Sequence, residues 1–273
     1  MPALNKIFVV IDPTTDNQVA LSNAAWLASQ NDSVALHVYE AVYSGDSSKD
    51  PVALERVELA RHTAWVESLV SPIREAGTQV DIQVEWNADW RDALAPAAIN
   101  AGADLILKAA SVHSGAGRRL LKTSDWMLLR EAHCPVYLIK KDAIEAGAKV
   151  LVAMDITRQD ELHASLNDKV LDYGRLLVNA IPEASLHAVN AYGGSDSFVY
   201  QGDVAEKAGV ERINAHAVEG APEKVIPEVA EQTEASIVVL GTAARDGIKA
   251  AVIGNTAEKV LDALHTNILT VRP

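Results

Sequence analysis

Residues 236–264 read SIVVLGTAARDGIKAAVIGNTAEKVLDAL, and this stretch decides the fold. Ile237 to Leu240 is a short apolar run rich in β-branched residues that ends in Gly241; small and polar residues follow, and Gly254 opens a helical pattern. A strand, a glycine loop and a helix start, in that order, make an anion site, because backbone N–H groups and the positive end of the helix dipole converge there. The stretch therefore predicts a strand–loop–helix unit of a parallel α/β sheet and points to a phosphate-bearing ligand.

Working outward, the rest of the chain repeats this alternation. From Lys6, IFVVID reads as a buried strand ending in Asp12, since its apolar residues run without alternation, as in sheets covered on both faces. Helical spacing over 17–29, a strand over 34–42, a long helix over 51–76 stopped by Gly77, and a strand over 80–86 come next. A helix over 89–101, a strand over 104–109, a helix over 124–132 and a strand over 135–139 complete the pass. Alternating strands and helices imply a parallel sheet with helical cover.

A second pass starts near Lys149. KVLVAMD mirrors KIFVVID, placing Asp155 143 residues after Asp12; SLHAVNA mirrors ALHVYEA, placing His187 150 after His37. ASIVVLG mirrors ADLILKA, and HTNILTV mirrors HCPVYLI, both at 132. Such self-similarity marks duplication, and the charged, glycine-containing KDAIEAGA of Lys141 to Ala148 suits a linker, giving domains 1–143 and 144–273. The fall in offset from 150 to 132 removes 18 residues between the second and fourth strands of the second repeat. In place of the long helix stands Tyr192 to Gly209, with room for one short helix near 202–208, so one flank of that sheet is expected to be thinly covered.

Composition bounds the function. The chain has 273 residues, 49% of them hydrophobic, which suffices for a substantial core. A formal charge of -13 argues against coating nucleic acid or docking to anionic lipid. One cysteine, Cys134, excludes an internal disulfide and a cysteine-rich zinc site. No apolar stretch reaches the roughly 18 residues of a membrane-spanning helix, and MPALNKIFVVID reads as a first strand and not a secretion signal. The expectation is a cytoplasmic protein.

The paired KIFVVID and KVLVAMD, the paired LHV segments, GAPEKVIPEVAEQTEASIVVLGT and GNTAEKVLDALHTNILTV together resemble the universal stress protein family. SDWMLLREAHCPVYLIK closing the first half and GIKAAVIGNTAEKV in the second are similar to its tandem, E-type members, over all of the chain except 192–209. The resemblance implies two tandem domains, each a five-stranded parallel sheet with helices on both faces. It also implies dimer-like pairing of last strands, here Pro135 to Ile139 with Asn267 to Val271, so that one chain forms an intramolecular pseudo-dimer, with a further homodimer left open. Nucleotide-binding members carry G-x2-G-x9-G-[ST] on the phosphates of ATP. Here the second repeat has Gly241, Ala244, Gly254, Asn255 and Thr256: the outer glycines match, whereas the middle glycine and the hydroxyl do not, although Thr256 offers a hydroxyl one residue late. In the first repeat the equivalents are Ala109, Val112, Lys122 and Thr123, and every glycine of the motif is gone.

The resemblance thus implies a stress-response protein that binds ATP, with or without Mg2+, through Asp155, Gly241, Thr242, Ala244, Gly254, Asn255 and Thr256. Against this stand plainer readings: Asp155 as a loop-ordering residue like Asp12, and the glycines as a turn with an ordinary helix start. A non-nucleotide, partly apolar ligand entering the thin flank is the rival binding hypothesis, and a scaffold acting by protein contacts is another. No catalytic residue is assigned, and any ATP hydrolysis is expected to be slow. Without HExxH or clustered Cys/His spacing no metal site is expected, and His37 and His187 read as satisfied packing residues. All five tryptophans, Trp26, Trp65, Trp86, Trp90 and Trp126, fall in the first repeat and are expected to fill its core and the contact between repeats.

Overall fold

The computed structural model of the chain describes residues 2–43, 50–112, 119–121, 123–141, 143–158, 160–242 and 253–272. In order, the elements are β1 (Lys6–Val10), α1 (Val19–Ser29), β2 (Ala35–Val42), α2 (Pro51–Glu75), β3 (Val80–Trp86), α3 (Trp90–Ala101), β4 (Leu105–Ala109), β5 (Ser111–Val112), β6 (Arg119–Leu120), α4 (Thr123–Glu131) and β7 (Val136–Ile139). The second pass gives β8 (Lys149–Met154), α5 (Glu161–Ala180), β9 (Ser185–Tyr192), α6 (Gln201–Ala208), β10 (Ala215–Glu219), α7 (Pro222–Gln232), β11 (Ile237–Gly241), α8 (Asn255–Ala263) and β12 (Asn267–Val271). Local chemistry explains the boundaries. Asp50 caps α2 by accepting from the Ala53 N–H at 3.0 Å, with Pro51 at the first helical position. Gly102 stops α3 with a left-handed φ of 66°.

Two compact units result, one of Ala3–Ala109 with Thr123–Cys134, the other of Pro135–Pro273 with 1–2 and 110–122. In the first, strands run β4-β1-β2-β3, all parallel. In the second, β10-β9-β8-β11-β12 is a parallel run, and β7 pairs antiparallel with β12, Leu138 opposite Ile268 and Val136 opposite Thr270. The last strand of the first repeat therefore belongs to the compact unit of the second.

Right-handed crossovers fix the helical layers. In the second unit they put α5 and α6 on one face, joined by Lys207 to Asp168 at 2.6 Å and by the Arg175 guanidinium donating to the Ala208 carbonyl at 3.1 Å. They put α7 and α8 on the other face, joined by Lys259 and Glu223 at 3.3 Å. The cores are strand residues such as Ile7, Phe8 and Val9 in one unit and Val150, Leu151, Val238 and Val239 in the other, all fully buried. The tryptophans differ from expectation: all five are half-buried, and the fully buried aromatics are Phe8, Tyr39 and Tyr137. An indole is large and keeps a donor to satisfy, which favours the rim of a helical layer over a core of β-branched residues.

Candidate functional site

Ligands of open α/β sheets collect at the carboxyl ends of the strands, and the second unit brings most of the expected residues there. Leu240 stands opposite Ala153, so the chain leaves β11 through Gly241 and Thr242 at the level where it leaves β8 through Asp155. Asp155 is held from both sides. Its N–H donates to Asn167 Oδ1 at 3.0 Å and its carbonyl accepts from Asn167 Nδ2 at 2.8 Å, while the next N–H, of Ile156, donates to Asn190 Oδ1 at 2.8 Å. The Asp155 carboxylate is itself engaged: Oδ1 accepts from the N–H and the hydroxyl of Thr157, and Oδ2 lies 3.4 Å from Arg158 Nε.

The glycines have separate reasons. A Cβ on Gly241 would lie 2.4 Å from Leu166 Cγ, so α5 seats a leucine where any other residue would put its side chain. Gly254 is different: it stands immediately before α8 with φ -63° and ψ 143°, a conformation open to every residue, and no side chain caps the helix. Asn255 and Thr256, the first residues of α8, are exposed, with Glu258 in the same turn. Thr242 is buried, its N–H donating to the Val271 carbonyl at 2.8 Å and its hydroxyl to the same oxygen at 3.3 Å, so its hydroxyl serves the sheet. Ala244 lies outside the described residues.

The first repeat fills the corresponding place with its own groups. Ala109 ends β4, Val112 lies in β5 and Thr123 opens α4, while Lys122 lies outside the described residues. Lys108 and Asp125, both buried, pair at 2.6 Å, and the ammonium also donates to the Ala109 carbonyl at 3.1 Å. Asp125 sits in the first turn of α4, so the negative charge that the helix start attracts is already supplied. At the constant offset of 132 the second repeat has Leu240 and Ala257, which make no such pair.

Sequence reading missed the residues that act across elements. Asn167, Asn190 and Leu166 hold the site from α5 and β9, and in the first unit buried Glu40 pairs with half-buried His62, Nδ1 to Oε1 at 2.6 Å. The flank expected to be thin carries the short helix foreseen there, α6, whose Val204, Ala205 and Ala208 are buried, while Phe198 and Tyr200 just before it are exposed. Cys134 is half-buried, and burial pushes its thiol up to about 12, so it is held as the unreactive thiol. No helix among the described residues is long and apolar enough to cross a membrane.

Fold and site together define a duplicated α/β protein in which the strand ends of the first repeat carry a buried Lys108–Asp125 pair that the second repeat does not have. The chain belongs to the universal stress protein family, whose model matches twice, at residues 3–140 and 148–272. It is similar to universal stress protein E of Escherichia coli (strain K12), 31% identical over 301 residues that cover 100% of this chain and 95% of the relative. The universal stress protein E homolog of Haemophilus influenzae is 26% identical, covering 98% and 97%. Among solved structures, a putative universal stress protein from Pseudomonas aeruginosa superposes with a TM-score of 0.83 at 28% identity, covering 100% of this chain and 94% of that one. A universal stress protein from Archaeoglobus fulgidus shares the fold, with a TM-score of 0.75 at 17% identity. This is a stress-response protein of the tandem type.

Proposed function

We propose that the second repeat, residues 144–273, binds an adenine nucleotide, ATP with or without Mg2+, while the first, residues 1–143, is a non-binding repeat that supports it in the cytoplasm. The observation that carries this reading is the contrast between two equivalent helix starts. α4 meets its own buried Asp125 and Lys108, whereas α8 begins at Gly254 with no side-chain cap and with Asn255 and Thr256 exposed. Backbone N–H groups at such a start favour a phosphate. Asp155 then acts by fixing the loop beside the ligand, since its carboxylate is engaged by Thr157 and Arg158. Pairing of β7 with β12 within one unit supports the further reading that the chain is its own pseudo-dimer.

Gly254→Val separates binding from folding, because the backbone at 254 accepts a β-branched residue while the added methyls crowd the helix start. Wild-type protein, denatured and read by mass spectrometry, should release an adenine nucleotide or else gain thermal stability from added ATP and Mg2+. Gly254→Val should keep its melting temperature without ligand and lose the response. A wild-type protein that is empty and indifferent to ATP would overturn the proposal.

A further inference from the structure

Two histidines from neighbouring strands meet on the α7 face of the second unit. Leu186 Cδ1 lies 3.1 Å from the place of a Cβ on Gly174 of α5, so His187, the next residue of β9, points to the opposite face. His216 of β10 stands opposite Val189 and shares that face; the two rings are 13° from parallel with centroids 6.2 Å apart. Both rings are half-buried, and His187 Nδ1 and His216 Nε2 are buried with no hydrogen-bond partner among the described residues. The expectation of a satisfied packing histidine therefore holds for His37 and not for His187.

The first repeat shows the satisfied alternative. There His37 Nε2 lies 3.1 Å from Gln83 Oε1. Gln83 stands opposite Tyr39, two residues beyond His37, just as His216 stands opposite Val189, two residues beyond His187. The second repeat thus has an ionisable imidazole where the first has an amide that closes the hydrogen bond.

We propose that His187 and His216 form an acid-operated latch on β10: neutral rings hold the strand against β9, and protonation drives it off. β10 is the strand to respond because it is the edge of its sheet, with β9 as its one strand neighbour. Two imidazolium ions stacked at this distance repel, and half-buried rings leave each new charge little water to solvate it. Among the described residues no carboxylate packed against the pair compensates. From β8, Lys149 adds a like charge at His187, which Glu234, 3.2 Å from the ammonium, offsets in part. On β9 the near polar group is the Ser185 hydroxyl, 3.3 Å from His187 Nε2, and on β10 Glu219 alternates to the opposite face. Arg212, in the turn before β10, lies against Gly202 of α6. α7 covers the face with buried Val225, Ile226, Val229 and Ala230, while its Lys224, Glu228 and Glu231 are exposed and its Glu223 pairs with Lys259. Burial accordingly holds both imidazoles below the usual histidine range, with His216 and Lys149 adding to the effect at His187. A histidine held low is neutral in the closed strand and takes up its proton on opening. Its contribution to closure is therefore complete above the open-state value and is lost as pH falls below that value.

The test is hydrogen exchange of the intact chain, corrected for intrinsic rates, at about pH 7.5 and about pH 5.5, on either side of the ordinary histidine value near 6.5. In the wild type, protection of β10 should fall by about tenfold or more in acid, while β11 and β12 of the same unit keep theirs. His216→Gln, which installs the pairing of the first repeat, should hold β10 equally at both pH values. In a ring-proton NMR titration of the wild type, both histidines should titrate below the free-histidine value. The two wild-type readings stand whatever the stability of the variant. Protection of β10 that ignores pH in the wild type, an equal fall in His216→Gln, or rings that titrate at or above the free-histidine value would each overturn the latch.

Discussion

At the level of single residues, the two repeats solve one problem with different side chains. Each first strand ends in an aspartate whose Oδ1 accepts from the threonine two residues on, Thr14 after Asp12 and Thr157 after Asp155. In each, a side-chain amide clasps the aspartate backbone, Gln18 in one and Asn167 in the other. The solutions part at the following residue. Ile156 has an N–H, which Asn190 accepts, while Pro13 has none, and the equivalent of Asn190 is Glu40, which turns to His62 of α2. Asn190→Leu should therefore lower stability by about 1–3 kcal/mol, the cost of an orphaned N–H, and weaken the thermal response to ATP, whereas an unchanged response would detach this loop from binding. Glu40 predicts a pH effect. Arg61 Nη2 lies 3.1 Å from His62 Nε2, which leaves His62 Nδ1–H to donate to Glu40 Oε1, and Glu40 Oε2 is buried without a partner. Burial raises the Glu40 carboxyl above its ordinary value, against the lowering effects of His62 and Arg61; Glu58 lies on the far side of His62 at 3.7 Å. A raised carboxyl contributes stability that is complete below the unfolded value and is lost as pH rises through the folded one. Glu40→Gln should thus gain on wild type as pH rises from about 4, and a difference in melting temperature that ignores pH would contradict this.

Secondary elements show which parts of the reading were legible. Boundaries of nearly every strand and helix of the first repeat follow from periodicity and stop signals, including β3 at Val80–Trp86 and the start of α2 at Pro51. The short helix foreseen near 202–208 is α6 at Gln201–Ala208. Packing between elements left no such trace, because it joins residues far apart in the chain. Gly241 reads from sequence as half of a phosphate loop, yet its immediate constraint is Leu166 on α5. Gly174, inside α5, carries no sequence signal at all. A Cβ there would lie 2.4 Å from Val152 Cγ1 and 3.1 Å from Leu186 Cδ1, and Val152 is a fully buried, β-branched strand residue with nowhere to turn. Helix propensity alone would make Gly174→Ala stabilising by about 1 kcal/mol. Crowding should reverse the sign, giving a loss of about 1–3 kcal/mol in chemical denaturation. A more stable variant would mean that α5 rides farther from β8 than described.

For the molecule as a whole, duplication was written in the offsets between matching segments, and the pairing of β7 with β12 was implied by the family resemblance. β7 closes the edge of β12, whose five residues are all buried. Lys140, buried just after β7, donates from Nζ to the carbonyls of Leu261 and Leu264 at 2.6 and 2.9 Å, so a residue of the first repeat satisfies the end of α8. Asn267 returns the contact, its Oδ1 accepting from the N–H groups of Lys140 and Lys141. A fragment of residues 144–273 loses all of these at once and bares a flat apolar edge strand, the situation that drives pairing with another chain. Antiparallel pairing is self-complementary about a twofold axis, so β12 of one copy can replace β7 for another. Light scattering should therefore find the fragment dimeric and the intact chain monomeric. A monomeric fragment would show that β12 is protected by something other than β7, and a dimeric intact chain would mean that internal pairing leaves a second self-association surface open. Lys140→Met in the intact chain tests the same coupling more gently. With β7 still in place, it should remain monomeric while losing protection from hydrogen exchange at the end of α8, where two carbonyls would lack their ammonium.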